Sequence, residues 1–286
     1  VSAPALPARR PLTARKVLHI LGGLLLVVLT VVYLLPLVFM VSTSLKTPLE
    51  QSMNPLAFPA RPHLDNYRNA FTQMGYLPSL LSTLIVTLGS SLLIVVSASL
   101  AAYPLARVKN RLTAVSSQLF MVGLIMPFFM IMIPLYSVMK NLHLINTYWG
   151  VMVLYTALNL PFAVFFYTSF IASLPAELEE SAYIDGCNPL QSFRYIVFPL
   201  LRPVTATISM FISLGIWNDF LLPLLFLYKP EFRTMMVSVY SFVGQYGFEP
   251  TTLFAAAGLA VLPLLIVFFV MQRSIIQGIT AGAIKG

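Results

Sequence analysis

Apolar residues run through this chain in six long blocks separated by shorter polar segments. A helix needs about 20 mostly apolar residues to cross the hydrocarbon core of a bilayer, and windows at 17–41, 80–106, 115–139, 149–173, 204–228 and 252–271 meet that requirement. The pattern predicts an all-α membrane protein with six transmembrane helices. Segment 1–16 precedes the six-span domain at 17–272, a polar loop at 174–203 interrupts that domain, and a tail at 273–286 follows it. The first block follows Arg9, Arg10, Arg15 and Lys16. Its apolar stretch is too long for a signal peptide and no small-residue cleavage site follows, so it is read as a retained anchor. Pro36, Pro127, Pro134, Pro161, Pro223 and Pro263 fall inside the blocks, where each removes a backbone donor and favours a kink.

Composition agrees with the pattern. The chain is 58% hydrophobic and 9% charged, with a mean hydropathy of +0.87. A soluble fold of 286 residues cannot hide that much apolar surface. The net charge of +8 comes from basic residues in short loops, so topology control explains it more simply than nucleic-acid binding does. The single cysteine, Cys187, excludes an intrachain disulfide and a multi-cysteine metal site. His19, His63 and His143 are far apart and lack spaced ligand partners, so no metal site is expected.

Six spans put both termini on one side. That side carries Arg9, Arg10, Arg15, Lys16, Arg107, Lys109, Arg111, Arg194, Arg202, Arg273 and Lys285; the other carries Lys46, Arg61, Arg68, Lys140, Lys229 and Arg233. The richer side is expected to be cytoplasmic, which places both termini and the 174–203 loop there. Of the two larger external loops, 42–79 contains Pro48, Pro55, Pro59 and Pro62 and is expected to be mostly irregular, with a short helix near 64–74. The other, 229–251, mixes charged and aromatic residues.

The cytoplasmic loop has a helical grammar of its own. Ser173 is a possible cap, Pro175 suits a first turn, and Glu177, Glu179 and Glu180 complement the helix dipole. Leu178 and Ala182 share a face flanked by Ser181 and Asp185, and the small residues at 181 and 182 allow close approach by another surface. Gly186 can take the left-handed conformation that ends a helix. Asn188-Pro189 then starts a second short helix, with Leu190, Phe193 and Val197 on one side, that ends at Pro199.

These residues resemble the cytoplasmic motif of bacterial ABC importer permease subunits: Glu-Ala-Ala, three residues, Gly, nine residues, Ile, any residue, Leu-Pro. Glu180, Ala182, Gly186, Ile196 and Pro199 match at that spacing, while Ser181 and Phe198 depart from it conservatively. The run Trp217-Asn218-Asp219-Phe220-Leu221-Leu222-Pro223 looks like the fifth-span sequence of carbohydrate importers, and the stretch 278–286 is similar to the C-terminus of G-type permease subunits of maltose importers. The resemblance covers essentially the whole chain.

It implies a type I ABC importer permease fold with a cytoplasmic coupling helix, in the bacterial inner membrane. The chain would form half of a translocation path for a sugar. Its implied partners are a second permease subunit, expected to be a different chain, two ATP-binding subunits and an extracellular solute-binding protein. Glu177, Glu180, Ser181, Ala182, Asp185, Gly186, Ile196 and Pro199 would couple to the ATPase, with Glu180 facing a basic residue there. Gly282, Lys285 and Gly286 would reach toward the ATPase interface, and the 229–251 loop, with Tyr246, Gly247 and Phe248, would enter the binding protein's cleft. The chain itself is expected to be no enzyme, with no catalytic residue and no cofactor. It has no phosphate-binding loop of the Gly-x-x-x-x-Gly-Lys-Ser/Thr kind, so ATP and Mg would be bound by partner subunits.

Asp219 is the only ionisable residue well inside a block, and a lone carboxylate there costs at least a few kcal/mol unless it faces a cavity or partner. Asn159, Trp217, Asn218 and Asp219 are candidate substrate-path residues, with Tyr155 and Phe162 nearby. Amides and carboxylates bond sugar hydroxyls and aromatic faces pack on the ring. The competing role is interhelical hydrogen bonding near the prolines. Two other functions compete. A proton-coupled transporter would use Asp219, but no intramembrane basic partner or inverted repeat is visible. An intramembrane enzyme lacks any Gly-x-Ser-x-Gly or His-Glu-x-x-His motif. A phosphorylated polyol is an alternative substrate.

Overall fold

The computed structural model describes residues 14–244 and 249–283. In chain order the helices are α1 (Ala14–Ser44), α2 (Pro48–Met53), α3 (Asp65–Gln73), α4 (Tyr76–Arg107), α5 (Arg111–Ile125), α6 (Phe128–Asn141), α7 (Tyr148–Ala172), α8 (Glu177–Ile184), α9 (Pro189–Ser192), α10 (Phe198–Leu200), α11 (Arg202–Asn218), α12 (Leu221–Phe226), α13 (Met235–Gly244) and α14 (Pro250–Ala283). No strand occurs among the described residues.

Four of these helices contain stretches long and apolar enough to cross a membrane: Leu21–Ser44, Tyr76–Arg107, Tyr148–Ala172 and Pro250–Val267. Two bent pairs pass the same test, α5 with α6 at 105° and the segment Pro189–Leu200 with α11 at 73°. The expected block at 115–139 is therefore not a straight helix, and the block at 204–228 is interrupted between Asn218 and Leu221. In the first, Pro127 pushes Met126 out of the helical region, to ψ 119°, and itself sits at ψ 128°.

The break in the second follows from Pro223. A proline cannot donate to the carbonyl four residues back and its ring crowds that carbonyl; here the carbonyl belongs to Asp219. The backbone leaves the helix at Asp219 (ψ 130°) and restarts at Leu221. Pro36, Pro134, Pro161 and Pro263, by contrast, lie inside continuous helices.

The core is built on α4 and α7, the most extensively packed helix pair, with α11 against both. Val86, Ile94, Ala98 and Ala102 meet Leu154, Ala163, Val164 and Ile171, and Ile208, Ile212 and Ile216 complete the cluster. Hydroxyls stitch the helices together: Ser79 to Ser238 (2.7 Å), Ser82 to Tyr148 (2.8 Å), Ser91 to Ser213 (2.9 Å) and Tyr167 to Thr205 (2.9 Å). Such bonds serve helices in lipid, where burying apolar area gives little net drive. A second cluster joins Ala255, Ala256 and Ala260 of α14 to Ala70, Met74, Met235 and Phe242. The apolar side chains of α1 from Leu21 to Leu35 and much of α5 and α6 face outward, as a lipid or subunit boundary requires.

The 42–79 segment is more ordered than its prolines suggest. The Thr47 and Glu50 side chains form a capping box at α2. Lys46 is fully buried and donates to the carbonyls of Asn54 (3.1 Å) and Pro55 (2.7 Å), while Asn66 donates to those of Ser44 and Lys46. The expected helix near 64–74 is α3. The 229–251 segment contains a short 3₁₀ turn, Pro230–Phe232, and α13.

Candidate functional site

Two places bring the sequence-predicted residues together. The first is the polar loop. Helix α8 begins with Glu177, and its N-cap is Ala176 rather than Ser173, which instead ends α7 and bonds back to Phe170. It stops where Gly186 takes φ +85°, the left-handed conformation that other residues adopt only at a cost. Asn188 and Gln191 then form a reciprocal capping box on α9.

The second short helix does not end at Pro199. Pro199 lacks the N–H that would satisfy Tyr195, so the ladder widens into a π turn over Phe193–Val197, with Phe198 N–H bonding the Phe193 carbonyl. The chain continues through α10 to Leu201, fully buried at the elbow into α11. Ile196 and Pro199 are half-buried in this turn.

The faces of α8 differ from expectation. Ala182 is buried within the chain, 4% exposed, so the surface it meets is the protein's own; Leu178, one turn earlier on that face, is left exposed. Of Leu190, Phe193 and Val197, only the last two are buried. Facing outward are Glu177, Glu180, Ser181, Asp185, Tyr183 and Ile184, the last 86% exposed. Tyr183 and Ile184 lie outside the spaced motif, although an isoleucine between a tyrosine and an aspartate on a polar helix is a readable signal.

Glu179, which the sequence marks only as a first-turn charge, has a second part. It is buried, and it pairs with Arg107 of α4 (Nη2 to Oε1, 2.7 Å) while accepting from the Tyr103 hydroxyl (2.7 Å). Glu179 and Glu180 are neighbours in sequence and opposites in role, one turned into the protein and one out.

The second place is a cavity of about 640 Å³ walled by α5, α6, α7, α11 and α12. Its polar lining comes from Tyr155, Asn159 and Asp219, and its apolar lining includes Met126, Phe128, Phe162 and Phe211. Asp219 is held tightly. Its Oδ2 accepts from the Tyr155 hydroxyl at 2.9 Å, and its Oδ1 accepts from the backbone N–H groups of Leu221 (2.9 Å) and Leu222 (3.4 Å). The carboxylate thus caps the helix that restarts after the break. Asn159 donates to the Tyr155 carbonyl at 2.9 Å. Pro161 leaves the Ala157 carbonyl without its helical donor, and both residues border the cavity.

Two of the four predicted path residues lie elsewhere. Trp217 is buried, 5% exposed, and its indole N–H has no partner; Asn218 is exposed and bonds the Leu214 carbonyl. Consecutive residues in a helix point about 100° apart, so Trp217 and Asn218 diverge, and Asp219 reaches the cavity from the extended backbone after α11. Tyr246, Gly247, Phe248, Lys285 and Gly286 lie outside the described residues, and Gly282 lies near the end of α14. No group of three metal-capable side chains occurs among the described residues.

An all-helical bundle with broken apolar helices, a cavity between them and an acidic helix–glycine–helix loop is matched by known proteins. Residues 94–281 match the family described as the binding-protein-dependent transport system inner membrane component. The chain belongs to that family. It is 34% identical, over 91% of this chain and 94% of the relative, to a probable starch degradation products transport system permease protein of Thermoanaerobacterium thermosulfurigenes. It is 35% identical, over 92% and 95%, to the melibiose/raffinose/stachyose import permease protein of Bacillus subtilis strain 168. Its fold superposes with a TM-score of 0.78 and 20% identity on a bacterial ABC transporter chain involved in the import of the acidic polysaccharide alginate, covering 92% of this chain and 99% of that one.

The permease is thus an inner-membrane transport component and not an enzyme. Membership in a binding-protein-dependent system implies a binding protein, an ATPase and a partner permease as its working company. The acidic loop and the cavity both fall within the matched region.

Proposed function

We propose that this permease is one half of the membrane path of an ATP-driven, binding-protein-dependent importer of neutral oligosaccharides or related sugars. The observation that carries the reading is the pairing of two features in one chain. A mainly apolar cavity that carries Tyr155, Asn159 and Asp219 sits among broken helices, and an acidic helix presents Glu180, Tyr183 and Ile184 outward. The sugar-import names of the two relatives support the substrate class.

In this reading the 177–199 loop is cytoplasmic and docks an ATPase subunit. Glu180 faces a basic residue there, Ile184 and Tyr183 enter an apolar recess, and Ser181 allows close approach. Gly282, Lys285 and Gly286 supply a second contact to the ATPase. With six spans both termini share one side, and the greater number of basic residues in the loops of that side makes it the cytoplasmic one. Tyr246, Gly247 and Phe248 meet the extracellular binding protein. The partner permease is a different chain, two ATP-binding subunits drive the pair, and ATP and Mg are theirs.

Asn159, Tyr155 and Asp219 are the groups in this chain placed to meet sugar hydroxyls, with Phe162 and Phe211 placed for the ring faces. No Lys or Arg lines this half of the cavity, which disfavours a phosphorylated polyol. A proton-coupled mechanism is disfavoured because Asp219 is already bonded to a hydroxyl and two backbone amides as a helix cap.

Reconstitution into proteoliposomes with the partner permease, ATPase and binding protein tests the reading. Uptake of radiolabelled raffinose or maltotriose is expected to require internal ATP. Uptake driven by a proton gradient with no ATPase present would overturn it.

A further inference from the structure

The acidic loop is gripped at one place. Tyr103 and Arg107 lie one turn apart at the end of α4, on the same face. Arg107 closes on Glu179 Oε1 through both Nη2 (2.7 Å) and Nε (2.8 Å), and its Nη2 also donates to the Leu174 carbonyl (3.1 Å). The Tyr103 hydroxyl takes the other carboxylate oxygen at 2.7 Å. The Tyr103 ring also lies 5.3 Å from that of Phe193, which in turn lies 5.8 Å from Phe198. One turn of α4 therefore holds α8 by charge and the π turn by aromatic contact.

The pair is shielded, with the Arg107 and Glu179 side chains 20% and 9% exposed. An exposed ion pair is worth little and slips easily; a shielded one with both carboxylate oxygens occupied is costly to break. What it grips matters as much. Helix α4 is the main packing partner of α7, and α7 carries Tyr155, bonded to Asp219 at the cavity. From Glu179 to Asp219 the contacts are continuous through α4 and α7.

We propose that the Arg107–Glu179 bridge is the mechanical link through which movement of the 177–199 loop reaches the cavity. Glu179 is a positioning residue, whereas Glu180 faces the ATPase. The inference rests on the reading of α8 as the ATPase-docking helix. It assigns a division of labour among Glu177, Glu179 and Glu180 of the first turn: the outward carboxylates bind the motor and the inward one passes its displacement to α4.

The test uses the assembled complex in lipid nanodiscs, with Cys187 replaced by Ser and a reporter cysteine at Phe211 in the cavity wall. Two quantities are read: ATPase co-purification, and the change in maleimide labelling of the reporter between the nucleotide-free and ATP–vanadate states. Glu179→Gln and Arg107→Met are expected to keep the ATPase bound but to shrink the nucleotide-dependent labelling change by about 5-fold or more. The exchange of Arg107→Glu with Glu179→Arg should restore at least half of it, and Arg107→Lys should fall between.

Single variants that keep the full labelling change would overturn the inference, as would an exchange that restores nothing. Loss of the ATPase from Glu179→Gln alone, unrepaired by the exchange, would overturn it too by making Glu179 a docking contact. If the unsubstituted chain captures no ATPase, the docking reading itself fails, and with it the inference.

Discussion

Tyr155 donates its phenolic proton to Asp219 across 2.9 Å, tying a continuous helix to the break between two others. The same carboxylate caps α12 with its second oxygen. One acidic side chain therefore repairs a helix end, fastens a neighbouring helix and presents charge to a cavity.

Tyr155→Phe removes only the hydroxyl. It is expected to destabilise the permease by about 1 kcal/mol, the usual net worth of a hydrogen bond, with some reduction in uptake. Thermal unfolding in detergent and ATP-driven sugar uptake measure the two effects.

Asp219→Asn keeps an oxygen for the Leu221 and Leu222 amides, whereas Asp219→Leu leaves both donors bare. The leucine variant is expected to lose most uptake and about 1–3 kcal/mol of stability, since orphaned buried donors cost that much; the asparagine variant should retain the cap and lose less. Comparing unfolding temperatures across the pair separates capping from charge. Equal uptake and sugar-stimulated ATPase activity in wild type and Asp219→Leu would leave the residue without a transport role.

At the loop, Gly186→Val forces a branched residue to φ +85°, a cost of at least about 1–2 kcal/mol. Glu180→Arg reverses an outward charge. Both are expected to abolish ATPase co-purification while membrane insertion is retained. Ile184→Asp should do the same if the exposed isoleucine is an anchor, and pull-down with a tagged ATPase reads all three.

Lys46 is a buried cation held by the carbonyls of Asn54 and Pro55. Replacing it with Met leaves those carbonyls unmet, and hydrogen bonds from a charged group are worth about 1.5–3 kcal/mol. Faster limited proteolysis between residues 47 and 63 is the expected outcome; an unchanged cleavage rate would show that the lysine does not hold the segment.

The apolar blocks announced a helical membrane protein because bilayer thickness imposes a length that composition alone can satisfy. The loop motif announced the family because Glu180, Ala182, Gly186, Ile196 and Pro199 match a known motif at its spacing. The break at Asp219 was only half legible: Pro223 favours a kink, but so do Pro36, Pro134, Pro161 and Pro263, which lie inside continuous helices.

The direction in which each side chain points was not legible. Glu179 and Glu180 are the same residue type in adjacent positions, and only the arrival of Arg107 and Tyr103 from α4 decides which one is turned inward. Ala182 and Ser181 look equally suited to close approach, yet one packs against its own protein. Trp217, Asn218 and Asp219 look like one motif and face three ways. The apolar helices and the kind of machine could be read along the chain, since apolar length and a locally spaced loop motif carry them. The tertiary structure alone decided which polar groups share a cavity and which acid is a bolt, because contacts between residues over fifty positions apart leave no local trace in the chain.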